Sequence, residues 1–247
     1  MIKTIVLSLI LIILTCGTGV EINPECVLKH TAEMVRLESS SSPKDKGFVN
    51  LSWTWVWDTP RGDGVIIERK IDADFDSIGY VTPIEAAMTF FDTSAVLTPN
   101  VEVSYSLGFL DGKKITPFDT TTFTIPPAQH IIQPDTEFID TSLIHSDSLD
   151  IIFGRLQGFD TTDVVIFRTS FTDIDSIIYT PIDDILNALL DTVVSAKTTD
   201  TIIRVDVASI DTLAIYMIKI TSSAVPILTY ITDTSIGLRA FMRLPFP

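Results

Sequence analysis

Histidine and cysteine are scarce in this chain of 247 residues: three of the first, two of the second. His30, His130 and His145 have neither a nucleophile nor metal-ligand spacing around them, which excludes the common zinc and triad patterns. Glycine, at 11 residues, forms no phosphate-cradling loop, and no G-x-S-x-G or H-E-x-x-H occurs. With Cys16 and Cys26 alone, disulfides do not hold the fold. Basic residues are short as well. Residues 20–127 carry 9 basic and 16 acidic side chains, residues 128–247 carry 7 and 16, and the whole chain nets −15. Neither half has a basic patch, so a nucleic-acid surface is excluded and the acidic surface reads as a soluble one. No apolar run approaches the roughly 20 residues that a membrane helix needs. Long stretches of 3.6-residue periodicity are missing too. These absences predict a non-enzyme with no cofactor and no metal site.

What the chain has in quantity is Ile, Val, Leu, Phe and Thr, the residues that favour strands. Val49, Leu51, Trp53 and Trp55 alternate with polar residues and share one face. Strands are predicted at Val27–Leu37, from Val49, from Val65, at Met88–Phe91, Val101–Phe109 and Ile115–Ile125. Turn residues separate them, with a hairpin at Asp111-Gly112. The segment Val65–Tyr80 (VIIERKIDADFDSIGY) recurs 99 residues later as Val164–Tyr179 (VVIFRTSFTDIDSIIY). Val65/Val164, Ile67/Ile166, Arg69/Arg168, Asp74/Asp173, Asp76/Asp175, Ser77/Ser176 and Tyr80/Tyr179 all match without a gap. A period of this length is too long for a solenoid repeat and right for a duplicated sandwich.

The first copy resembles a fibronectin type III domain. The residues that carry the resemblance are Leu51-Ser52-Trp53, Ile67-Glu68-Arg69, Phe75–Gly79, Phe91-Asp92-Thr93 and Leu97-Thr98-Pro99, in order. Val103 stands where that family has its corner tyrosine, so this corner is expected to be held by apolar packing. In the second half Leu149-Asp150-Ile151 takes the place of Leu51-Ser52-Trp53, and Leu190-Asp191-Thr192 echoes Phe91-Asp92-Thr93. Ile185–Leu190 reads as a helical turn, and Thr201–Ser209 and Leu213–Ser222 as a paired set of strands. Ile227–Ile231 and Ile236–Leu244 read as completing a sheet. The resemblance implies an all-β chain: two tandem immunoglobulin-like (fibronectin type III-like) antiparallel β-sandwiches after an N-terminal signal segment, the second copy degenerate. The divisions are 1–19 signal, 20–127 first sandwich and 128–247 second. Pro126-Pro127 reads as a stiff linker setting the two end to end.

Lys3, the apolar run Ile5–Leu14 and small residues after it describe a secretory signal. Ile13-Leu14-Thr15-Cys16 resembles a bacterial lipobox, which implies lipidation at Cys16; ordinary cleavage near Gly19 is the other reading. The protein is therefore expected in the cell envelope or outside the cell, touching membrane only through a lipid at Cys16. Three further motifs read most simply as structure. Arg61-Gly62-Asp63 lies in a Pro/Gly turn between two strands, where backbone needs explain these residues. Asp72, Asp74 and Asp76 begin like a calcium loop but lack the glycine and the final acid, since Ser77 and Pro83 stand there. Trp57, near a strand end, is a candidate for stacking on a sugar. The function expected is non-catalytic: presenting or spacing a surface for a protein or polysaccharide ligand. The alternative is a carbohydrate-binding accessory protein of a secreted hydrolase system.

Overall fold

A computed structural model describes residues 25–244, apart from 40–41, 57–58, 60–61, 95, 136–137, 141–147, 207–209, 212 and 225–232. The signal segment with Cys16, Arg61, Trp57, His145 and the strand expected at Ile227–Ile231 all lie outside the described residues.

The first half builds seven strands: β1 (Cys26–Glu38), β2 (Lys44–Trp55), β3 (Gly64–Lys70), β4 (Phe75–Val81), β5 (Ala87–Asp92), β6 (Glu102–Asp111) and β7 (Lys114–Thr124). One layer runs β1-β2-β5 and the other β4-β3-β6-β7, every neighbouring pair antiparallel. The expected alternation holds. Val49, Leu51, Trp53 and Trp55 point inward from β2 and meet Val65, Ile67, Val103, Tyr105 and Leu107 from the facing layer. Burying a side chain of this size contributes about 1.5–3 kcal/mol. Gly112 closes the β6–β7 hairpin with φ at +60°, a conformation that costs glycine nothing.

The second half adds β8 (Ile131–Gln133), β9 (Phe138–Asp140), β10 (Ser148–Phe153), β11 (Phe159–Thr169), β12 (Leu189–Thr198), β13 (Ile202–Asp206), β14 (Ile215–Ala224) and β15 (Thr234–Leu244). With the short β9 set aside, the wiring repeats. The first, second and fifth strands form one layer, β8-β10-β13, and the fourth, third, sixth and seventh form the other, β12-β11-β14-β15. Val164 and Ile166 on β11 are as fully buried as Val65 and Ile67 on β3. The chain is all-β, two sandwiches of one topology.

Two sequence expectations are corrected, and the echo itself diverges. The end of the echo, a strand in the first copy (β4), is a 3-10 helix at Asp175–Tyr179 in the second, followed by helix α1 (Ile182–Asn187). Leu190-Asp191-Thr192 sits on β12, beside β11, and not on the counterpart of β5, which is β13. The two stretches read as a strand pair are β13 and β14, in different sheets: β13 pairs with β10 and β14 with β11. Local alternation marks a strand; it carries no address for the partner.

The halves also meet more closely than an end-to-end linker arrangement implies. β1 pairs in parallel with β15, Glu33–Glu38 against Thr234–Arg239, so three strands of the first sandwich and four of the second form one continuous sheet. Val35, Leu37, Ile215, Met217, Ile236 and Leu238 bury one face of this seam under Ile174, Ile177, Ile182 and Ile185 from the two helical turns. On the other face the linker is tied down. The Gln129 amide donates to the Gly154 carbonyl at 2.8 Å and accepts from Ser222 Oγ at 2.9 Å, and Ser235 Oγ donates to the Pro127 carbonyl.

Candidate functional site

The polar groups singled out by sequence mostly serve the frame. Asp63 Oδ2 accepts from the Gly112 amide at 2.9 Å, and its carbonyl accepts from Thr82 Oγ1 at 2.8 Å and from the Tyr80 hydroxyl. Those bonds stitch the Gly62-Asp63 turn to the β6–β7 hairpin and to the end of β4. Asp72 holds a turn residue's left-handed φ of +73°, and Asp76 lies on β4 opposite Arg69. In the second copy Asp173 Oδ1 accepts from the Asp175 amide at 3.1 Å at the start of the 3-10 helix. Among the described residues no three His, Cys, Asp or Glu side chains gather closely enough to hold a metal ion.

The histidines and Cys26 are equally local. His30 stacks on Phe123 at 3.8 Å, and burial lowers its pKa. His130 Nδ1 meets the buried carboxylate of Glu38, which also accepts from Arg36 Nε at 2.7 Å. The Cys26 thiol is free; burial, reinforced by the charge of Asp119, pushes it up to about 12, so it is an inert sulfhydryl at neutral pH.

One buried network escaped the sequence reading. Asp92, at the end of β5, accepts from Arg69 Nη1 at 2.6 Å, from the Tyr105 hydroxyl at 2.8 Å and from the Ser94 amide at 3.0 Å. Val103 is wholly buried, as expected of the corner, yet a tyrosine hydroxyl does work here two residues further on. Burial alone would raise the Asp92 pKa; the hydrogen bonds from Ser94, Arg69 and Tyr105 outweigh it and hold the carboxyl below its ordinary range. The Phe91-Asp92-Thr93 motif shows where the carboxylate lies but not which side chains reach it.

Among the described residues a cleft open to a ligand lies where the two sandwiches meet. A cleft of about 590 Å³ is walled on one side by Lys44, Asp45 and Lys46 at the start of β2, with Thr93 after β5. Tyr179, Thr180, Pro181 and Ile182, between the 3-10 helix and α1, form the other wall. Ile177, Ile182 and Ile185 anchor that second wall in the seam core, and Lys46 Nζ closes on the Asp183 carboxylate across the gap. Burial raises the pKa of Asp45, while Arg36 Nη1, 3.5 Å away, pulls it back. Tyr179 is 85% exposed, the most exposed large apolar side chain among the described residues. Sequence reading saw it only as an echo of Tyr80. The usable signal was one position earlier, where Gly79 of the first copy becomes Ile178. No helix among the described residues is long and apolar enough to cross a membrane, which says nothing of a membrane β-barrel.

No protein-family model matches the chain. No curated protein matches it by sequence. Solved structures do. The FN1–FN3 domains of chicken CNTN1 align at 12% identity over 87% of this chain and 68% of that one, with a TM-score of 0.34. A two-domain fibronectin type III segment of chicken tenascin aligns at 12% identity over 76% and 90%, with a TM-score of 0.24. Native alpha-2-macroglobulin from Escherichia coli, over its MG0-NIE-MG1 span, aligns at 10% identity over 89% and 71%, with a TM-score of 0.27. Such likenesses are too distant to carry ligand or activity across; the sandwich description rests on this chain's own strand pairings.

Proposed function

We propose that this protein is a non-catalytic module of the cell envelope, exported by its N-terminal signal, anchored by lipid at Cys16, and built to hold a binding surface at a fixed geometry. Residues 20–127 and 128–247 are its two sandwich units. The observation that carries the reading is the seam: pairing β1 with β15 turns two sandwiches into one stiff body, which is what a spacer or presenting module needs. The signal-like residues Ile5–Leu14 and Cys16 supply the export and anchoring parts. Its partner is a protein or polysaccharide outside the cytoplasm. The second reading, a carbohydrate-holding accessory of a secreted hydrolase system, is favoured by the exposed ring of Tyr179 in the cleft.

Mass spectrometry of the mature protein tests the anchoring. A diacylglycerol-modified Cys16 at the new amino terminus is the expected result, and a mature chain starting beyond Cys16 overturns it. Crosslinking on intact cells, followed by identification of the linked species, tests the binding role. A reproducible protein or glycan adduct supports presentation, and none at all reduces the reading to a spacer.

A further inference from the structure

The two copies of the echo end in the same residue type and use it differently. In the first, Tyr80 lies on β4, packs its ring against Gly64 and donates its hydroxyl to the Asp63 carbonyl. In the second, the segment coils into the 3-10 helix, and Tyr179 at its end leaves the sheet altogether. Among the described residues Tyr179 makes no hydrogen bond or ring contact, while the isoleucines around it are locked in the seam core. A bare ring on a rigid support is a poor arrangement for stability and a good one for stacking on a flat apolar surface.

The facing wall supplies the second half of the chemistry. The chain nets −15, yet this cleft opens onto Lys44 and Lys46. Lys46 is taken by Asp183, and Asp45 is held by Arg36. Lys44 has no carboxylate partner among the described residues and lines the cleft opposite Tyr179. At about 590 Å³ the space is within the range of small-ligand sites. Thr93 adds a hydroxyl able both to donate and to accept, and Thr180, whose Oγ1 donates to the Ser176 carbonyl at 3.0 Å, adds an acceptor.

We infer that this cleft is a binding site for an acidic saccharide, its C–H face stacked on Tyr179 and its carboxylate met by Lys44. The inference rests on the binding role proposed above and names the ligand class for it. A neutral sugar would leave Lys44 unused, and an extended peptide would not need an isolated ring on a fixed wall.

The test is calorimetric titration of the mature chain with oligomers of galacturonic acid, beside neutral malto-oligomers of equal length. Saturable binding of the acidic oligomer alone is expected, weakening with added salt. Tyr179→Ala and Lys44→Glu should each reduce affinity about tenfold or more, in the manner of central contact residues. Tyr179 is surface-exposed, so its variant should keep the wild-type melting midpoint, and Tyr80→Phe should bind as wild type does. No saturable binding, equal binding of the neutral oligomer, or unchanged affinity in either cleft variant overturns the proposal. None of those results touches the mature amino terminus, so the anchored-module reading stands or falls separately.

Discussion

At the scale of single residues, the first sandwich depends on one buried carboxylate. Asp92 is 4% exposed and takes hydrogen bonds from Arg69, Tyr105 and Ser94, so removing it strands a guanidinium and a buried phenol together. Breaking a buried pair from one side costs about 3–5 kcal/mol, and Asp92→Ala should lower the unfolding free energy by that amount in urea titration. The sign of its pH dependence follows from the same bonds. The folded Asp92 carboxyl titrates below its unfolded value of about 3.9, so its contribution is full above that pH and is lost as pH falls through the folded value. Asp92→Asn, compared with wild type by thermal melts, should be the less stable protein at neutral pH and show a flatter loss below pH 4. In the sequence Phe91-Asp92-Thr93 stood out only as part of the type III resemblance, and Asp92 does end β5. That motif could not show that the carboxylate is buried, because Arg69 and Tyr105 come from strands of the other layer.

At the scale of elements, nearly the same letters fold two ways. Asp74-Phe75-Asp76-Ser77-Ile78-Gly79-Tyr80 makes a strand, whereas Asp173-Ile174-Asp175-Ser176-Ile177-Ile178-Tyr179 makes a 3-10 turn. The difference lies in Gly79. A Cβ there would sit 2.3 Å from the end of the Phe90 ring, so any larger residue at this place on β4 requires that ring to move. Ile178 cannot make the same approach, and the seam offers Ile174 and Ile177 a better place to bury. Gly79→Ile, which writes the second copy's residue into the first, should cost about 1–3 kcal/mol through overpacking, read as a lower urea midpoint. Hydrogen exchange should place the loss in β4 and β5, leaving β14 and β15 protected. Strands such as β2 were legible because period-2 alternation decides which side is buried. The turn was not, because the choice between strand and helix was made by a core remote along the chain, with Val35 and Leu37 far before it and Met217 and Leu238 far after it.

For the whole molecule, the seam governs. Two sandwiches tied only by Pro126-Pro127 would melt as separate units; sharing a sheet and the buried core around Leu37 and Leu238, they should unfold in one step, with calorimetric and van't Hoff enthalpies in agreement. This joint was illegible in the sequence, since parallel pairing of the first and last described strands leaves no local trace. It also sets the response to acid. Glu33 of β1 and Asp233 beside β15 both lie at the joint, and burial raises the pKa of each. Lys219 pulls Glu33 back, and the Ala32 amide, bonded to Asp233 Oδ1 at 3.3 Å, pulls Asp233 back, but neither outweighs burial. A carboxyl whose folded pKa lies above its unfolded one binds its proton more tightly in the folded state, so stability grows as pH falls through the folded value. Asp92 works in the opposite direction only below about pH 3.9, so the two effects bracket an optimum on the weakly acidic side of neutrality. Asp233→Asn keeps the acceptor for Ala32 and removes the charge. It should raise the melting midpoint at pH 7.5, by a margin that shrinks as pH falls through the folded value of the wild-type carboxyl; a variant no more stable than wild type at pH 7.5 would show that the seam is wet enough to carry the charge.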